Sequence, residues 1–304
     1  MMMNIHRILL SCVILLALAA PVHADSLMDF KAGKSDYQLN DAKDGKAQVV
    51  RLRRVHKEVV LHRQPEAPEL DALSKAKNTD LIVDMDGAVP PKGMKSLLGA
   101  YKGVNTRVVW PSTFDETAAG NYSGSQDVFV FDFTRTQEIS PMFLALQADY
   151  FPFNAKMVRL PGFMIKKQDL EKLRALRSFS MEIVLDKPLG RKQLRLLKKG
   201  YARVFKNIIV PCGMKKRDIR ALEKLGNVQL TLDVRHSEDL EKDCVVFAKS
   251  VKKADTGLLV SGPFSPTVAA AISKVKNLKT LRVDMNGGGI NEEFIKLLNR
   301  SGKK

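Results

Sequence analysis

Cysteine is scarce in this chain, with three in 304 residues, too few for a disulfide-held scaffold. Histidine is scarce too. Past residue 24 only His56, His62 and His236 remain beside Cys212 and Cys244, with no zinc-site spacing and no Ser/His/Asp or Cys/His arrangement. The sequence therefore calls for no metal and no cofactor. Hydrophobic runs of membrane-spanning length are also missing: Ile8 to Ala20 gives about 13 residues, where a spanning helix needs roughly 20. Acidic residues are in deficit, 33 against 50 Lys and Arg, for a formal charge of +17. Such a charge favours acidic partners, among them polyanionic glycans, lipid phosphates, anionic lipids and nucleic acid, without choosing a fold.

The first 24 residues have the pattern of a secretory leader: Arg7, the apolar run, then Val22-His23-Ala24 as a small-residue cleavage site before Asp25. A mature chain beginning near Asp25 is expected to be periplasmic or secreted, with no transmembrane segment, where nucleic acid is a poor candidate partner. An oxidising compartment permits Cys212 and Cys244 to pair, although two small buried side chains are the simpler reading. Residues 25–68 read as a polar, basic arm. Within it, Gln48 to Arg63 has the alternation of a basic hairpin or strand pair, and Pro65 and Pro68 mark a hinge.

From residue 69 to 304 the chain repeats. Leu81-Ile-Val-Asp84-Met-Asp86-Gly87 returns as Leu281-Arg-Val-Asp284-Met-Asn286-Gly287, 200 residues on. Seven apolar pairs of φ-x-φ form lie between, from Val108 and Trp110 to Leu258 and Val260, giving nine strands at a mean period of 25 residues. Apolar residues at helical spacing follow most of them, as in Ile165, Leu170, Leu173 and Met214, Ile219, Leu222. Each unit is a strand, a loop and a short helix, and none can bury its apolar face alone.

Leu278-x-x-Leu281-x-Val283-x-x-Asn286 resembles the repeat segment of leucine-rich-repeat proteins. The resemblance implies an open α/β solenoid over residues 69–304, with a parallel sheet and irregular repeats, because Asp86, Asp186, Gly213 or Pro263 stands at the asparagine position elsewhere. The alternative is a closed or doubly wound α/β domain. Leu81-Ile-Val83, Asn207-Ile-Ile-Val210 and Leu258-Leu-Val260 are apolar on both faces, as strands covered on both sides should be.

Ile82-Val-Asp84-Met-Asp86-Gly87 also resembles the nucleophile motif of haloacid-dehalogenase-type phosphatases. Its recurrence with Asn286 in place of the second Asp makes repeat punctuation the better reading. Gly287-Gly288-Gly289 suits a phosphate cradle or, more simply, a loop turn.

Residues 154–225 hold 20 Lys and Arg against 6 Asp and Glu. The helical pattern turns Lys166, Lys167, Arg191, Lys192, Lys198, Lys199, Lys215, Lys216 and Arg217 outward, where in a solenoid they would form one basic ridge. The first functional expectation is a non-enzymatic repeat protein. It would bind a protein or an anionic envelope or glycan partner, with peripheral membrane-surface contact, through that ridge or through the sheet face. On that face Asp84, Arg159, Glu182, Asp233, Arg282 and Asp284 alternate with apolar residues such as Val109, Phe129, Phe131 and Leu259. The alternative is an extracytoplasmic α/β hydrolase using Asp84, Asp186, Asp233 and Asp284. These acids lie in a long row in a solenoid but converge in a closed barrel.

Overall fold

Alternating apolar and mostly β-branched residues make ten strands, and in the computed structural model all ten are parallel and lie side by side in chain order. They are β1 (His56–Leu61), β2 (Thr79–Asp84), β3 (Asn105–Pro111), β4 (Val128–Asp132), β5 (Lys156–Pro161), β6 (Ser180–Val184), β7 (Lys206–Pro211), β8 (Val228–Asp233), β9 (Asp255–Ser261) and β10 (Leu278–Asp284). Seven α-helices are present among the described residues: α1 (Ala67–Ser74), α2 (Lys92–Ala100), α3 (Lys167–Lys172), α4 (Arg191–Gly200), α5 (Lys216–Glu223), α6 (Leu240–Ser250) and α7 (Glu292–Asn299). The structure describes residues 55–101, 103–111, 128–141, 144–145, 156–176, 178–262, 272, 275 and 277–299. The leader, most of the arm, and Asn121-Tyr122-Ser123, a glycosylation sequon, lie outside them. None of the described helices is long and apolar enough to cross a membrane.

The sheet closes on itself. β1 pairs with β2 on one edge, Val59 opposite Leu81, and with β10 on the other, Val59 opposite Val283. This overturns the open solenoid: its two end strands, β2 and β10, are both hydrogen-bonded to β1, which closes the ring, and the closed α/β alternative is the one that fits in part. Both architectures stack the same strand-helix unit, so the nine apolar pairs become β2 to β10 in either. What decides between them is His56–Leu61, which lies within the stretch expected to be an arm and supplies the strand that joins the two edges.

Eight of the nine φ-x-φ pairs face the helices; in β4 the expected pair Val128 and Val130 is off by one position, and Val130 turns into the bore. Leu81, Val83, Val108, Trp110, Ile208, Val210, Leu281 and Val283 are fully buried in one continuous apolar layer with Leu70, Leu73, Met94, Leu170, Leu197, Ile219 and Leu222. Phe129 and Phe131 belong to this layer too, on the helix side and not on the face expected to meet a partner. On the helix side of the seam, Glu69 of α1 accepts from the Ile290 amide at 2.9 Å and pairs with Arg63 at 2.7 Å. That loop follows β10, and its Ile290 amide is taken up by Glu69, so Gly287-Gly288-Gly289 forms a turn, with Gly287 at φ +76.

The other face of each strand points into the bore. Bore diameter grows with strand number, so ten strands leave a wider lumen than the eight that aliphatic side chains fill. Here long charged side chains occupy it. Arg282 donates two bonds to Glu182, at 3.0 and 2.7 Å, and one to Glu58 at 2.7 Å. Arg159 reaches the same Glu182 at 2.9 Å, and Arg107 spans Glu58 and Asp80 at 2.7 and 2.8 Å. Asn207 and Thr231 extend the chain of bonds from Glu182. A smaller apolar patch of Val60, Ile82, Val109 and Val130, with Met157 against it, fills the remaining side. The lumen is tight at β9, where a Cβ on Gly257 would meet the Thr231 hydroxyl at 2.5 Å.

Burial acts to raise the Glu182 carboxyl, but the charges of Arg282 and Arg159 outweigh it and hold the group well below the ordinary carboxylate range. Removing that carboxylate alone leaves two guanidiniums without their counter-charge. Glu182→Ala is therefore expected to cost about 3–5 kcal/mol in urea unfolding, whereas replacing Arg159, Glu182 and Arg282 together by Met, Leu and Met should cost less than the single change. Equal or larger loss in the triple variant would show that the ion network contributes net stability.

A candidate active site at the carboxyl end of the barrel

In parallel α/β barrels the carboxyl ends of the strands and the loops that follow carry the chemistry. Here that rim alternates. Odd strands β3, β5 and β7 end in Pro111, Pro161 and Pro211, and β9 in Ser261, a spacing of 50 residues, so the larger repeat is a pair of strand-helix units. Proline has no N–H to donate onward and ends the ladder there. Among even strands, β2, β4, β8 and β10 each end in an inward aspartate: Asp84, Asp132, Asp233 and Asp284. Three of these caps shape their own turns. Asp84 Oδ1 accepts from the Asp86 amide at 3.2 Å, Asp132 Oδ1 from that of Thr134 at 2.8 Å, and Asp233 Oδ1 from that of Arg235 at 3.1 Å.

Closure brings the two copies of the Val-Asp-Met-Asp/Asn-Gly motif to either side of β1, on β2 and β10. Between them stands His62, the residue following β1. Its Nε2 lies 2.8 Å from Asp284 Oδ1 and its Nδ1 2.9 Å from Asp86 Oδ1. Asp86 adopts φ +52, a left-handed turn conformation that aspartate tolerates, and Gly87 follows at φ +90. Arg135 donates to both the carbonyl and the carboxylate of Asp86. Arg235 ties Asp284 to Asp233, at 2.5 and 2.8 Å, and Arg159 joins Asp84 at 2.8 Å to Asp132 at 3.5 Å. Since Arg159 also holds Glu182, the rim and the lumen are one continuous network. Its exposure is graded: the Asp86 side chain is 53% exposed, His62 is half-buried, and Asp284 is 2% exposed.

The hydrogen bond to Asp284 acts first on His62, against the opposing effect of burial, and with the charges of Asp284 and Asp86 raises it to about 9. At neutral pH it is an imidazolium with both N–H groups used. Burial presses the Asp284 carboxyl up, but the bonds from His62 and Arg235 hold it below its ordinary value. One ligand atom from each of His62, Asp84 and Asp86 falls within 4.8 Å of the others, a spacing that suits a divalent ion. The ring, however, has the partners of a proton holder, and a metal would have to displace that proton and a carboxylate bond.

Of the four acids expected at strand ends, the structure gathers Asp84, Asp233 and Asp284 and leaves Asp186 exposed in the loop after β6. Sequence reasoning missed Asp132, Arg159, Arg235 and His62 as site residues. The 200-residue motif repeat was the available signal, since it flags the two strands that flank His62. Arg159, Glu182 and Arg282, expected on a face open to a partner, line the enclosed lumen, so that face is no binding surface. Cys212 and Cys244 are unpaired thiols, each pushed up to about 12 by burial. His236 is exposed, and the cap of α6 is Asp239, which accepts from the Lys242 amide at 3.0 Å.

The nine basic residues expected to form a ridge are all exposed, but they divide. Lys166, Lys167, Arg191, Lys192, Lys215, Lys216 and Arg217 lie at the starts of α3, α4 and α5, on the rim side, while Lys198 and Lys199 end α4 at the opposite mouth. No family model matches the chain and no curated protein matches it, so the leucine-rich-repeat resemblance rests on its own short segment.

The raised His62 value gives a signed prediction. A group raised in the folded state stabilises fully below its unfolded value near 6.5 and loses that contribution as pH climbs through about 9. Stability should therefore decline between pH 6.5 and 9, and this decline should flatten in His62→Gln. In Asp284→Asn the histidine, followed by NMR, should titrate nearer 6.5; an unshifted titration would remove Asp284 as its main partner.

Proposed function

We propose that the chain is a barrel hydrolase whose reaction takes place around His62, Asp84, Asp86 and Asp284, on a glycan. The observation that carries this reading is His62 clamped between two carboxylates at the seam, with a third, Asp84, on the adjoining strand. The non-enzymatic alternative loses its sheet face, because that face is the lumen. Two groups with separated proton affinities provide an acid and a base.

In this reading Asp86, the exposed partner, gives way, and the leaving oxygen of the substrate takes its place at His62 Nδ1. Asp284 keeps its hold on Nε2 and stabilises the ring charge. The bond to the leaving oxygen breaks as that oxygen takes the His62 proton, while Asp84, oriented by Arg159 and by the Asp86 amide, accepts a proton from the attacking water. The hydroxyl of water completes the product, and the Asp84 proton returns to the imidazole through solvent. Arg135 and Arg235 hold the neighbouring carboxylates in place. The leader pattern of residues 1–24 supports an extracytoplasmic setting for this activity.

Release of reducing ends from a panel of envelope and plant polysaccharides tests the proposal. His62→Gln and Asp84→Asn should each lower kcat by about 10²–10⁴-fold with the fold retained by circular dichroism, and wild-type kcat should fall as pH passes about 9. No release from any polysaccharide, or release that both variants retain, would overturn the assignment.

A further inference from the structure

Helix starts around the mouth divide into two kinds. Those that follow β1, β8 and β10 carry acids, as the partial positive charge of a helix amino terminus favours: Glu69 in α1, Asp239 with Glu241 and Asp243 in α6, and Glu292 with Glu293 in α7. Those that follow β5, β6 and β7 carry more bases than acids, Lys166-Lys167 with Asp169, Arg191-Lys192, and Lys215-Lys216-Arg217 with Asp218, and α2 after β2 also starts on a base, Lys92, without an acid. Here the side-chain charge has the same sign as the helix end. The local cost of this arrangement has no return inside the fold. Among the described residues only two of the seven bases after β5, β6 and β7 form ion pairs, Lys167 with Glu171 at 3.8 Å and Arg217 with Asp218 at 3.4 Å, both loose and exposed. Choices that oppose local preference concentrate at functional surfaces.

An apolar residue lies on the same sector. Phe163, on the one-turn 3₁₀ segment Gly162–Met164 directly after β5, is 37% exposed beside Lys166-Lys167. A free aromatic face next to cations offers a sugar ring an apolar platform while the cations meet its carboxylates.

We propose that the arc of rim over β5, β6 and β7 is a ledge for a carboxylated polysaccharide, whose chain passes from Phe163 and the three basic groups to the carboxylate and histidine cluster at the seam. The inference deepens the hydrolase reading by naming its substrate class as an acidic glycan, and it rests on that reading for the direction of the chain, not for the binding itself. The basic arc draws the polymer by charge, and Arg135, Arg159 and Arg235 offset the carboxylates of the cluster it reaches. The asymmetry thus anchors the bound chain on one side of the mouth.

Binding of alginate oligosaccharides to the full chain, measured by calorimetry at several salt concentrations beside neutral cello-oligosaccharides and phosphatidylglycerol vesicles, tests the ledge. Alginate should bind most strongly. Reversal by Lys166→Glu, Lys167→Glu, Lys215→Glu and Lys216→Glu should weaken it by roughly tenfold or more and flatten its salt dependence. Phe163→Ala should weaken binding at every salt concentration and leave the salt slope in place. Lys198→Glu with Lys199→Glu, at the opposite mouth, should bind as the wild type does. Unchanged affinity in the reversed variant or in Phe163→Ala, or tighter binding to the vesicles than to alginate, would overturn the ledge. Binding with these dependences but no hydrolysis by the wild type would remove the hydrolase reading alone. Hydrolysis indifferent to the reversal and to Phe163→Ala would remove the ledge alone.

Discussion

Two guanidiniums sharing one carboxylate in the bore, Arg282 and Arg159 on Glu182, set the terms for the rest of the molecule. A ten-stranded ring is wider than aliphatic side chains fill, and arginine and glutamate have the length to cross it. Taking such charges out of water is expensive unless every one is paired and its hydrogen bonds are met. The lumen therefore had to be completed as a network: Glu58 for Arg282, Arg107 for Glu58, Asp80 for Arg107, and Asp84 and Asp132 for the far side of Arg159.

The same requirement connects stability to the rim. Asp84 is held in place from below by a lumen arginine and from above by the turn it caps. Asp284 is held by Arg235 and His62. A carboxylate fixed from two directions keeps its orientation without help from a substrate, which is what a reacting group needs. The apolar layer between barrel and helices supplies the rigidity behind this, since its residues are buried without exception along the φ-x-φ positions of β2, β3, β7 and β10.

Much of the architecture was legible. Nine of ten strands, their parallel order and the helical cover followed from alternation and spacing, because an apolar pair facing a helix leaves the same mark whatever the unit does next. Closure was not legible in that way. Residues 48–63 mix Arg and Lys among valines, and the basic content suggested a peripheral arm, whereas Lys57 packs on the helix side and Glu58 enters the lumen. The site was half visible: the strand-end aspartates stood out by repetition, while His62, Arg159 and Arg235 became meaningful only once β1 stood between β2 and β10. The face read as an open, mixed surface was assigned its charged residues correctly but for the wrong reason, since buried ion pairs and an exposed polar face produce the same alternation, while Phe129 and Phe131 belong to the opposite side.

The seam has one more implication. The strand made first in the ring, β1, is bonded along one edge to the strand made last, β10, and His56 faces Thr280 across more than two hundred residues of chain. No partial product of synthesis can satisfy that edge, so the ordered ring is withheld until its final segment arrives. A nascent polypeptide with this connectivity keeps that edge of its first strand unpaired until its last one has been made.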